Sequence, residues 1–251
     1  MISIIIPAYN EEATIERCLS ALSSQTVPRS SYELIVVDGN SRDRTREIAA
    51  EYADLVFIQE SERVSGARND GFVRAKYAIV ATTDADSVVA PDWIEQILYS
   101  FADPRVVLAF GPVTSIEDTR KNRRYALLFD ILMHFGAATR MYYYTLGCNT
   151  IFRYDVLNRV GMYRIVDAGD DLEVATRMRK EGKVTFNPHM KVGFDFRRYD
   201  QYGFWRTIYE WYCIVLDGGI SKKYTYSRRE YKNHNPFEET QTTPQLKKEL
   251  I

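Results

Sequence analysis

The sequence predicts an α/β fold in which a mostly parallel sheet carries helices on both faces. Short apolar runs recur through residues 1–110 without the polar alternation of a half-exposed strand. Amphipathic helical patterns separate these runs, and acidic loops follow them. This composition is typical of parallel strands, because crossover helices bury both of their faces. Ligands of such sheets bind beyond the carboxyl ends of the strands, so those loops are the first candidates for a site.

The first two strands are each followed by a polar loop and a helix. The first is expected over residues 2–6 and to end at Pro7, because proline cannot donate a ladder hydrogen bond. Asn10 could then serve as the N-cap of the next helix. The second strand is expected over residues 34–37, and it runs into Asp38 and a charged helix.

The same alternation continues through two more strands. Residues 55–58 form the third apolar run, residues 67–75 have a helical pattern, and residues 78–81 form the fourth run. Pro91 is expected in the first turn of the following helix, where proline is tolerated. Four strand and helix units in sequence support the parallel sheet.

The alternation of strands and helices is less regular after residue 110. A basic and aromatic helical stretch is expected over residues 120–144, followed by a further strand and helix unit that begins near Gly147. The tail from Ser221 is rich in Lys, Arg, Tyr and Asn and predicts no defined fold. A chain of 251 residues is long enough to bury one large core, so a single domain with an irregular C-terminal extension is expected.

Charge and cysteine content exclude several classes of protein. Lys and Arg number 33 against 34 Asp and Glu, so no global positive field would draw the chain onto nucleic acid. The three cysteines are Cys18, Cys148 and Cys213, and their wide spacing matches neither a zinc site nor a CxxC pair. The start lacks the basic segment of a signal peptide, and every long apolar stretch is interrupted by charge. We therefore expect a cytoplasmic protein, with contact to a membrane surface left open.

Asp84-Ala85-Asp86 is the strongest local signal for chemistry. Two carboxylates one residue apart, directly after an apolar strand, can hold a hard divalent cation that also binds phosphate oxygens. Taken alone, Asp-x-Asp is common and is usually a solvated turn. Its position after the fourth strand of an α/β series favours the metal site.

The other candidate residues each have a structural alternative. Asp38 could accept a hydrogen bond from a base or a ribose, or it could only cap the next helix. Arg68 offers a guanidinium to phosphate, although it could lie on a solvated helix face. Asp170 and Asp171 stand in the first turn of a predicted helix, where acids are favoured by the helix dipole alone.

Several separated motifs together resemble the family 2 glycosyltransferases in identity, order and spacing. In the first half they read Ile-Ile-Pro-Ala-Tyr-Asn-Glu-Glu from Ile5, Val-Val-Asp-Gly-Asn-Ser-Arg-Asp-Arg-Thr from Val36, Gly-Ala-Arg-Asn-Asp-Gly from Gly66, and Asp-Ala-Asp from Asp84. In the second half, Gly-Cys-Asn-Thr-Ile-Phe-Arg at residues 147–153 is similar to the acceptor-side strand of the family. Asp170-Asp171, followed by Arg177 and Gly182, is similar to its Glu-Asp motif. The resemblance covers about residues 1–195.

The resemblance implies a GT-A fold, a nucleotide-diphosphate sugar donor, Mg or Mn, and inversion at the anomeric carbon. It divides the chain into a nucleotide-binding half over residues 1–112, an acceptor-binding half over 113–220, and a basic tail over 221–251. The resemblance implies that Pro7, Tyr9, Glu11 and Asp38 bind the base and ribose, and that Arg68 lies near the nucleotide or diphosphate. It implies ribose or metal binding for Asp84 and metal binding for Asp86. It makes Asp171, beside Asp170, the catalytic base and places Gly147 and Asn149 on the acceptor side.

Two departures from the family pattern limit these implications. The family usually has glutamate where this chain has Asp170, and the chain has no Gln-x-x-Arg-Trp motif of the kind that accompanies processive synthesis. The expected acceptor is a hydroxyl of a glycan or a lipid-linked saccharide, because a hydroxyl requires a base such as Asp171. The alternatives are transfer to polyprenyl phosphate at a membrane surface and a module that binds a nucleotide sugar without transferring it.

Two basic and aromatic runs could also serve a membrane surface or a nucleic acid. They are residues 120–124 together with 142–144, and residues 222–232. Such runs are more often solvated faces over a core. Peripheral membrane contact therefore stays an open possibility, and no nucleic-acid partner is expected.

Overall fold

A computed structural model describes residues 1–141 and 143–217, and the tail expected from Ser221 lies outside these ranges. The strands are β1 (Ile2–Ala8), β2 (Tyr32–Asp38), β3 (Leu55–Ile58), β4 (Ile79–Thr82), β5 (Val88–Val89), β6 (Val106–Phe110), β7 (Val113–Ser115), β8 (Thr150–Arg153), β9 (Lys183–Phe186) and β10 (Val192–Phe194). The helices are α1 (Ile15–Ser23), α2 (Thr45–Ala50), α3 (Arg63–Arg74), α4 (Trp93–Phe101), α5 (Arg120–Thr139), α6 (Tyr154–Arg159), α7 (Asp170–Met178), α8 (Arg197–Tyr202) and α9 (Phe204–Leu216).

The central sheet has seven strands in the order β3-β2-β1-β4-β8-β6-β9. The pairs β1/β2, β1/β4, β2/β3 and β6/β9 are parallel, whereas β8 runs antiparallel to both β4 and β6. A second sheet has three strands in the order β5-β10-β7. The predicted α/β fold with a mostly parallel central sheet is thus confirmed.

The central strands are buried on both faces, as the unalternating apolar runs predicted. Every residue of β1 and β2 is buried. Within β1, Ile4 and Ile6 belong to one apolar cluster and Ile5 to the cluster on the other face. Consecutive residues of a strand point to opposite faces, so a continuous isoleucine run supplies both cores at once.

The end of β1 differs from the sequence prediction, because the strand continues through Pro7 to Ala8. The carbonyl of Ile5 accepts a hydrogen bond from the Thr83 amide on the β4 side. Pro7 faces that same side two residues later, beyond the last β1/β4 pair at Ile5 and Thr82. The missing amide of proline therefore removes no ladder hydrogen bond.

Three predicted helix ends are also wrong. Asn10 is not an N-cap, because α1 begins only at Ile15, and Asn10 instead adopts a left-handed conformation with φ of 53°. Pro91 precedes α4 and lies outside it, since Asp92 is the N-cap of that helix. The helix expected over residues 120–144 ends at Thr139, where Arg140 turns left-handed and donates its amide to the Gly136 carbonyl.

Asn149 connects segments that belong to the two sheets. Its amide nitrogen donates to the carbonyls of Pro112 at 3.2 Å and Met190 at 2.8 Å, and its oxygen accepts from the Trp93 indole at 2.9 Å. Met190 and Pro112 lie next to strands of the smaller sheet, while Asn149 directly precedes β8 of the central sheet. The side chain is fully buried, so water cannot replace these partners.

We expect Asn149→Ala to lower the free energy of unfolding by about 2–4 kcal/mol, because it leaves buried polar groups without partners. Urea unfolding followed by circular dichroism measures this loss. Asn158→Ala, at an exposed position of α6, is the matched control and should stay within about 0.5 kcal/mol of the parent. Equal stability of the two variants would contradict the connecting role of Asn149.

Candidate active site

Arg68 is held at the centre of the candidate site by close packing of α3. The helix approaches the sheet closely because Gly71 has no side chain, and a Cβ there would stand 2.5 Å from Cγ2 of Ile5. The Arg68 side chain is only 5% exposed. Gly147 makes room for it, since a Cβ at Gly147 would stand 1.9 Å from Nη2 of Arg68. Gly147, predicted on the acceptor side, therefore has a defined packing role.

Three carboxylates from two distant segments surround this guanidinium. Nη2 of Arg68 lies 3.1 Å from Oδ1 of Asp84, just beyond the carboxyl end of β4. Nη1 lies 3.1 Å from Oδ2 of Asp170 and 3.6 Å from Oδ1 of Asp171, in the first turn of α7. Burial by itself would lower the pKa of Arg68, but the carboxylates of Asp171, Asp84 and Asp170 raise it well above its usual value. The guanidinium stays charged and holds the two segments together.

The two aspartates at the start of α7 have raised pKa values. Burial, followed by the negative charge of Asp170, raises the pKa of Asp171 to about 7, against the opposing effects of Arg68 and the Tyr163 hydroxyl. Burial also raises the pKa of Asp170, although Arg68 opposes this shift. A carboxyl group that titrates near neutral pH is suited to act as a general base.

Tyr163 orients Asp171 and is itself held by Asn69. The tyrosine hydroxyl donates to Oδ1 of Asp171 at 2.9 Å. The Asn69 side chain donates to the Tyr163 carbonyl at 2.8 Å and accepts from the Tyr163 amide at 3.0 Å. The ring stacks on Phe72, makes an edge contact with Phe152 and is almost fully buried. Oδ2 of Asp171 makes no hydrogen bond within residues 1–141 and 143–217, and the side chain is partly exposed.

A second cluster joins Glu11 and Asp86 through Arg197. One guanidinium nitrogen of Arg197 lies 2.7 Å from Oε1 of Glu11 and 3.1 Å from Oδ2 of Asp86. Burial, then the charges of Asp84 and Glu11, raises the pKa of Asp86 to about 7, and Arg197 opposes the shift. The site thus concentrates negative charge where the sequence predicted a metal, and a cation of the chain partly neutralises it.

Asp38 fastens the loop after β2 and does not cap α2. Its carboxylate accepts from the Ser41 hydroxyl at 2.5 Å and from the Ser41 amide at 2.8 Å, and α2 begins only at Thr45. The Ser41 hydroxyl oxygen in turn accepts from the Asn10 amide, which ties this loop to the loop after β1. Beside them the Tyr9 ring packs on Gly39.

The structure brings most of the predicted site residues to one edge of the sheet. Pro7 and Asp38 lie at the ends of β1 and β2, Tyr9 and Glu11 follow β1, Asp84 and Asp86 follow β4, and Arg68, Gly147, Asp170 and Asp171 meet beside them. Asn149 differs, because its side chain is buried and all its hydrogen bonds go to the fold. Three residues of the site, Asn69, Tyr163 and Arg197, were not predicted from the sequence. Asn69 lies within a quoted motif, but only the tertiary structure reveals its partner.

Comparison with known proteins identifies the family. The profile described as Glycosyl transferase family 2 matches residues 3–175. The chain belongs to this family. The glycosyltransferase AglE of Haloferax volcanii is 32% identical over 182 residues, which is 67% of this chain and 58% of AglE. The putative glycosyltransferase EpsH of Bacillus subtilis is 32% identical over 125 residues, or 48% of this chain and 36% of EpsH. The matched regions therefore span only part of these relatives.

Solved glycosyltransferase structures share the fold of this family member. Residues 1–349 of S. aureus TarS, in complex with UDP-GlcNAc, align with a TM-score of 0.62 at 18% identity, covering 77% of this chain and 58% of TarS. The mannosyltransferase PcManGT of Pyrobaculum calidifontis, in complex with GDP-Man and Mn²⁺, aligns with a TM-score of 0.61 at 24% identity, covering 77% and 56%. The GT-A prediction is confirmed by these likenesses.

Arg68→Gln should lower the free energy of unfolding by about 3–5 kcal/mol near pH 8, because it leaves the acids around position 68 without their cation. Arg74→Gln, on the same helix, removes a more exposed ion pair with Glu60 and should cost about 0–1 kcal/mol. Urea unfolding of both variants at two pH values makes the comparison.

The cost of Arg68→Gln should shrink near pH 5. Acids with raised pKa values bind more protons in the folded state than in the unfolded state, so stability falls as pH rises. Protonation at low pH removes the repulsion that Arg68 otherwise offsets. A cost that does not change between about pH 5 and pH 8 would contradict an electrostatic role for Arg68.

Proposed function

We propose that this chain transfers one sugar from a nucleotide-diphosphate sugar to an acceptor hydroxyl, with inversion at the anomeric carbon. The observation that carries the proposal is the hydrogen bonding of the Asp171 carboxylate. Tyr163 and Arg68 lie against its Oδ1, whereas Oδ2 has no hydrogen bond to the described part of the chain. The Asp84 carboxylate contacts Nη2 of the same guanidinium, so Arg68 connects the proposed base Asp171 to the proposed metal motif.

The relatives support the donor class. TarS binds UDP-GlcNAc, and PcManGT binds GDP-Man with Mn²⁺. A validoxylamine A glucosyltransferase of Streptomyces hygroscopicus is 33% identical over 110 residues. TarS and PcManGT differ in nucleotide base and sugar, so they favour a nucleotide-diphosphate sugar without selecting one.

The loops after β1 and β2 are the proposed nucleotide site. Tyr9 offers an aromatic ring beside Gly39, and Asp38 offers carboxylate oxygens that the Ser41 hydroxyl and amide now occupy. Pro7 shapes the end of β1, and Glu11 borders the Asp86 cluster. Binding of a base or ribose by Asp38 requires an oxygen lone pair beyond those given to Ser41, and a carboxylate has several.

Asp84 and Asp86 would be the protein ligands of a divalent ion, and donor phosphates and water would complete its coordination shell. Among the residues that the structure describes, no group of three or more His, Cys, Asp or Glu side chains could enclose a metal. Mg²⁺ is commonly held by one or two carboxylates together with waters and substrate phosphates, so two aspartates are sufficient protein ligands. A bound ion would act as a Lewis acid and stabilise charge on the departing diphosphate. Arg197 already places positive charge at the same point.

Asp171 is the proposed general base. Oδ2 accepts the proton of the acceptor hydroxyl as its oxygen bonds to the anomeric carbon, and the bond from that carbon to the diphosphate oxygen breaks. Attack opposite the leaving group inverts the configuration. A well-placed general base contributes roughly 10²- to 10⁴-fold in rate. A hydroxyl acceptor is favoured over polyprenyl phosphate, since a phosphate oxygen is already anionic and needs no base.

Two aspartate variants should separate catalysis from donor binding. Asp171→Asn should lower kcat by about 100-fold or more while nucleotide binding persists, because the shape is kept and the base is lost. Asp86→Asn should weaken Mn²⁺-dependent binding of UDP or GDP, since it removes a metal ligand. Calorimetric titration and a product assay measure both effects.

Each variant is the control for the other. Full transfer by Asp171→Asn would refute the assigned base. Nucleotide affinity that does not change with Mn²⁺ or with Asp86→Asn would refute the metal site. A parent that binds donor but transfers to no glycan or lipid-linked saccharide would favour the non-catalytic alternative.

Tyr163→Phe should move the pH profile of kcat/KM. In the parent, activity should rise through about pH 7, because Asp171 must be deprotonated to accept a proton. The Tyr163 hydroxyl lowers the pKa of Asp171, so its removal should shift the acid limb to higher pH. An unchanged profile with a uniformly lower rate would mean that the tyrosine acts only through packing.

A further inference from the structure

The helices α5 and α9 contact each other through aromatic rings, and each exposes large apolar residues. The Tyr125 ring of α5 stacks on Phe204 of α9 with centroids 4.1 Å apart, and Phe129 also contacts Phe204. On their outer sides both helices expose large apolar residues at helical spacing. We call this surface the α5–α9 face; it comprises Leu127, Ile131, Phe135, Trp205, Tyr209, Tyr212 and Leu216.

Unpaired cations extend this face on α5. Arg120 and Arg124 are exposed and lie two turns and one turn, respectively, before Leu127 on the same side of the helix. Neither forms an ion pair with the described segments of the chain, whereas Lys121 and Arg123 are paired with Asp200 and Asp118. On α9 the acid Glu210 is buried and bonded to Arg206. The face therefore combines apolar and aromatic groups with two unpaired arginines, beside the half-exposed Asp130, which contacts His134, and the exposed Asp217.

We propose that the α5–α9 face binds an anionic phospholipid membrane surface. Helices with exposed Trp, Phe and Leu beside Arg lie in the plane of the membrane interface, where Trp and Tyr are preferred and Arg meets lipid phosphates. No helix of the described chain is long and apolar enough to cross a bilayer, so the contact would be interfacial.

Charge makes a membrane a better occupant than a second copy or the chain's own tail. In a two-fold dimer the same face would lie on both sides of the interface, so the interface would contain four unpaired arginines. The tail from Ser221 contains more Lys and Arg than Asp and Glu, so it does not complement a basic face either. Anionic lipid headgroups complement both the arginines and the apolar residues.

The face is connected to the candidate active site through α8. Arg197, which contacts Asp86, is the first residue of α8, and α8 leads through Gly203 into α9. Membrane binding is nevertheless separate from transfer, so it can be tested without donor or acceptor.

The test is flotation of the full chain with vesicles of phosphatidylcholine, alone or mixed with phosphatidylglycerol. The parent should float with the anionic vesicles and less with the neutral ones, and added salt should weaken binding by screening. Trp205→Ser/Tyr212→Ser and Arg120→Gln/Arg124→Gln should each lower the partition coefficient on the order of tenfold.

Matched control variants remove exposed apolar or charged side chains from other parts of the surface. Val73→Ser/Tyr99→Ser removes two exposed apolar side chains from α3 and α4. In the parent, Tyr99 is 79% exposed, which is similar to the 73% exposure of Trp205. Arg17→Gln/Lys180→Gln removes two exposed charges from α1 and the residues after α7. Both controls should bind within about twofold of the parent, and circular dichroism should give parental spectra for all variants.

Three results would overturn the proposal. The first is a parent that does not float with anionic vesicles. The second is a face variant that floats as well as the parent, which would assign binding to another surface such as the tail. The third is a concentration-dependent dimer in ultracentrifugation that is lost in the face variants, because the face would then bind a second copy.

Discussion

The buried guanidinium of Arg68 is the interaction on which the site depends. Asp84 follows β4, while Asp170 and Asp171 begin α7, and their like charges would separate these segments without a cation between them. A buried ion pair is costly to desolvate, so it adds little net stability by comparison with apolar packing. Its effect is positional, because each carboxylate has a fixed partner atom.

The two arginines of the site differ in the work that they can do. Arg68 is enclosed by protein and by the bare backbone at Gly147, so its geometry is rigid. Arg197 is half exposed and begins a short helix. In the proposed mechanism, Arg68 holds the base in place and Arg197 exchanges Asp86 for the charge of the ligand. Electrostatic preorganisation and ligand exchange would then be divided between two residues.

The sequence predicted those features that arise locally. Apolar runs located the first four strands, and the aspartates that follow β4 and begin α7 could be identified by motif. The reversed direction of β8 depends on a long connection that no local pattern specifies. The extension of β1 through Pro7 depends on where β4 stops pairing. Tyr163 was missed because its support comes from Asn69, 94 residues away in the chain.

The three cysteines differ sharply in chemical accessibility. Cys18 and Cys148 are buried, and desolvation raises the pKa of each thiol well above its usual value. Thiolate is the reactive form, so alkylating reagents should pass over both. Cys213 is partly exposed on α9. The native chain thus offers one selectively labelled position, where an environment-sensitive fluorophore would report directly on the polarity around the last described helix.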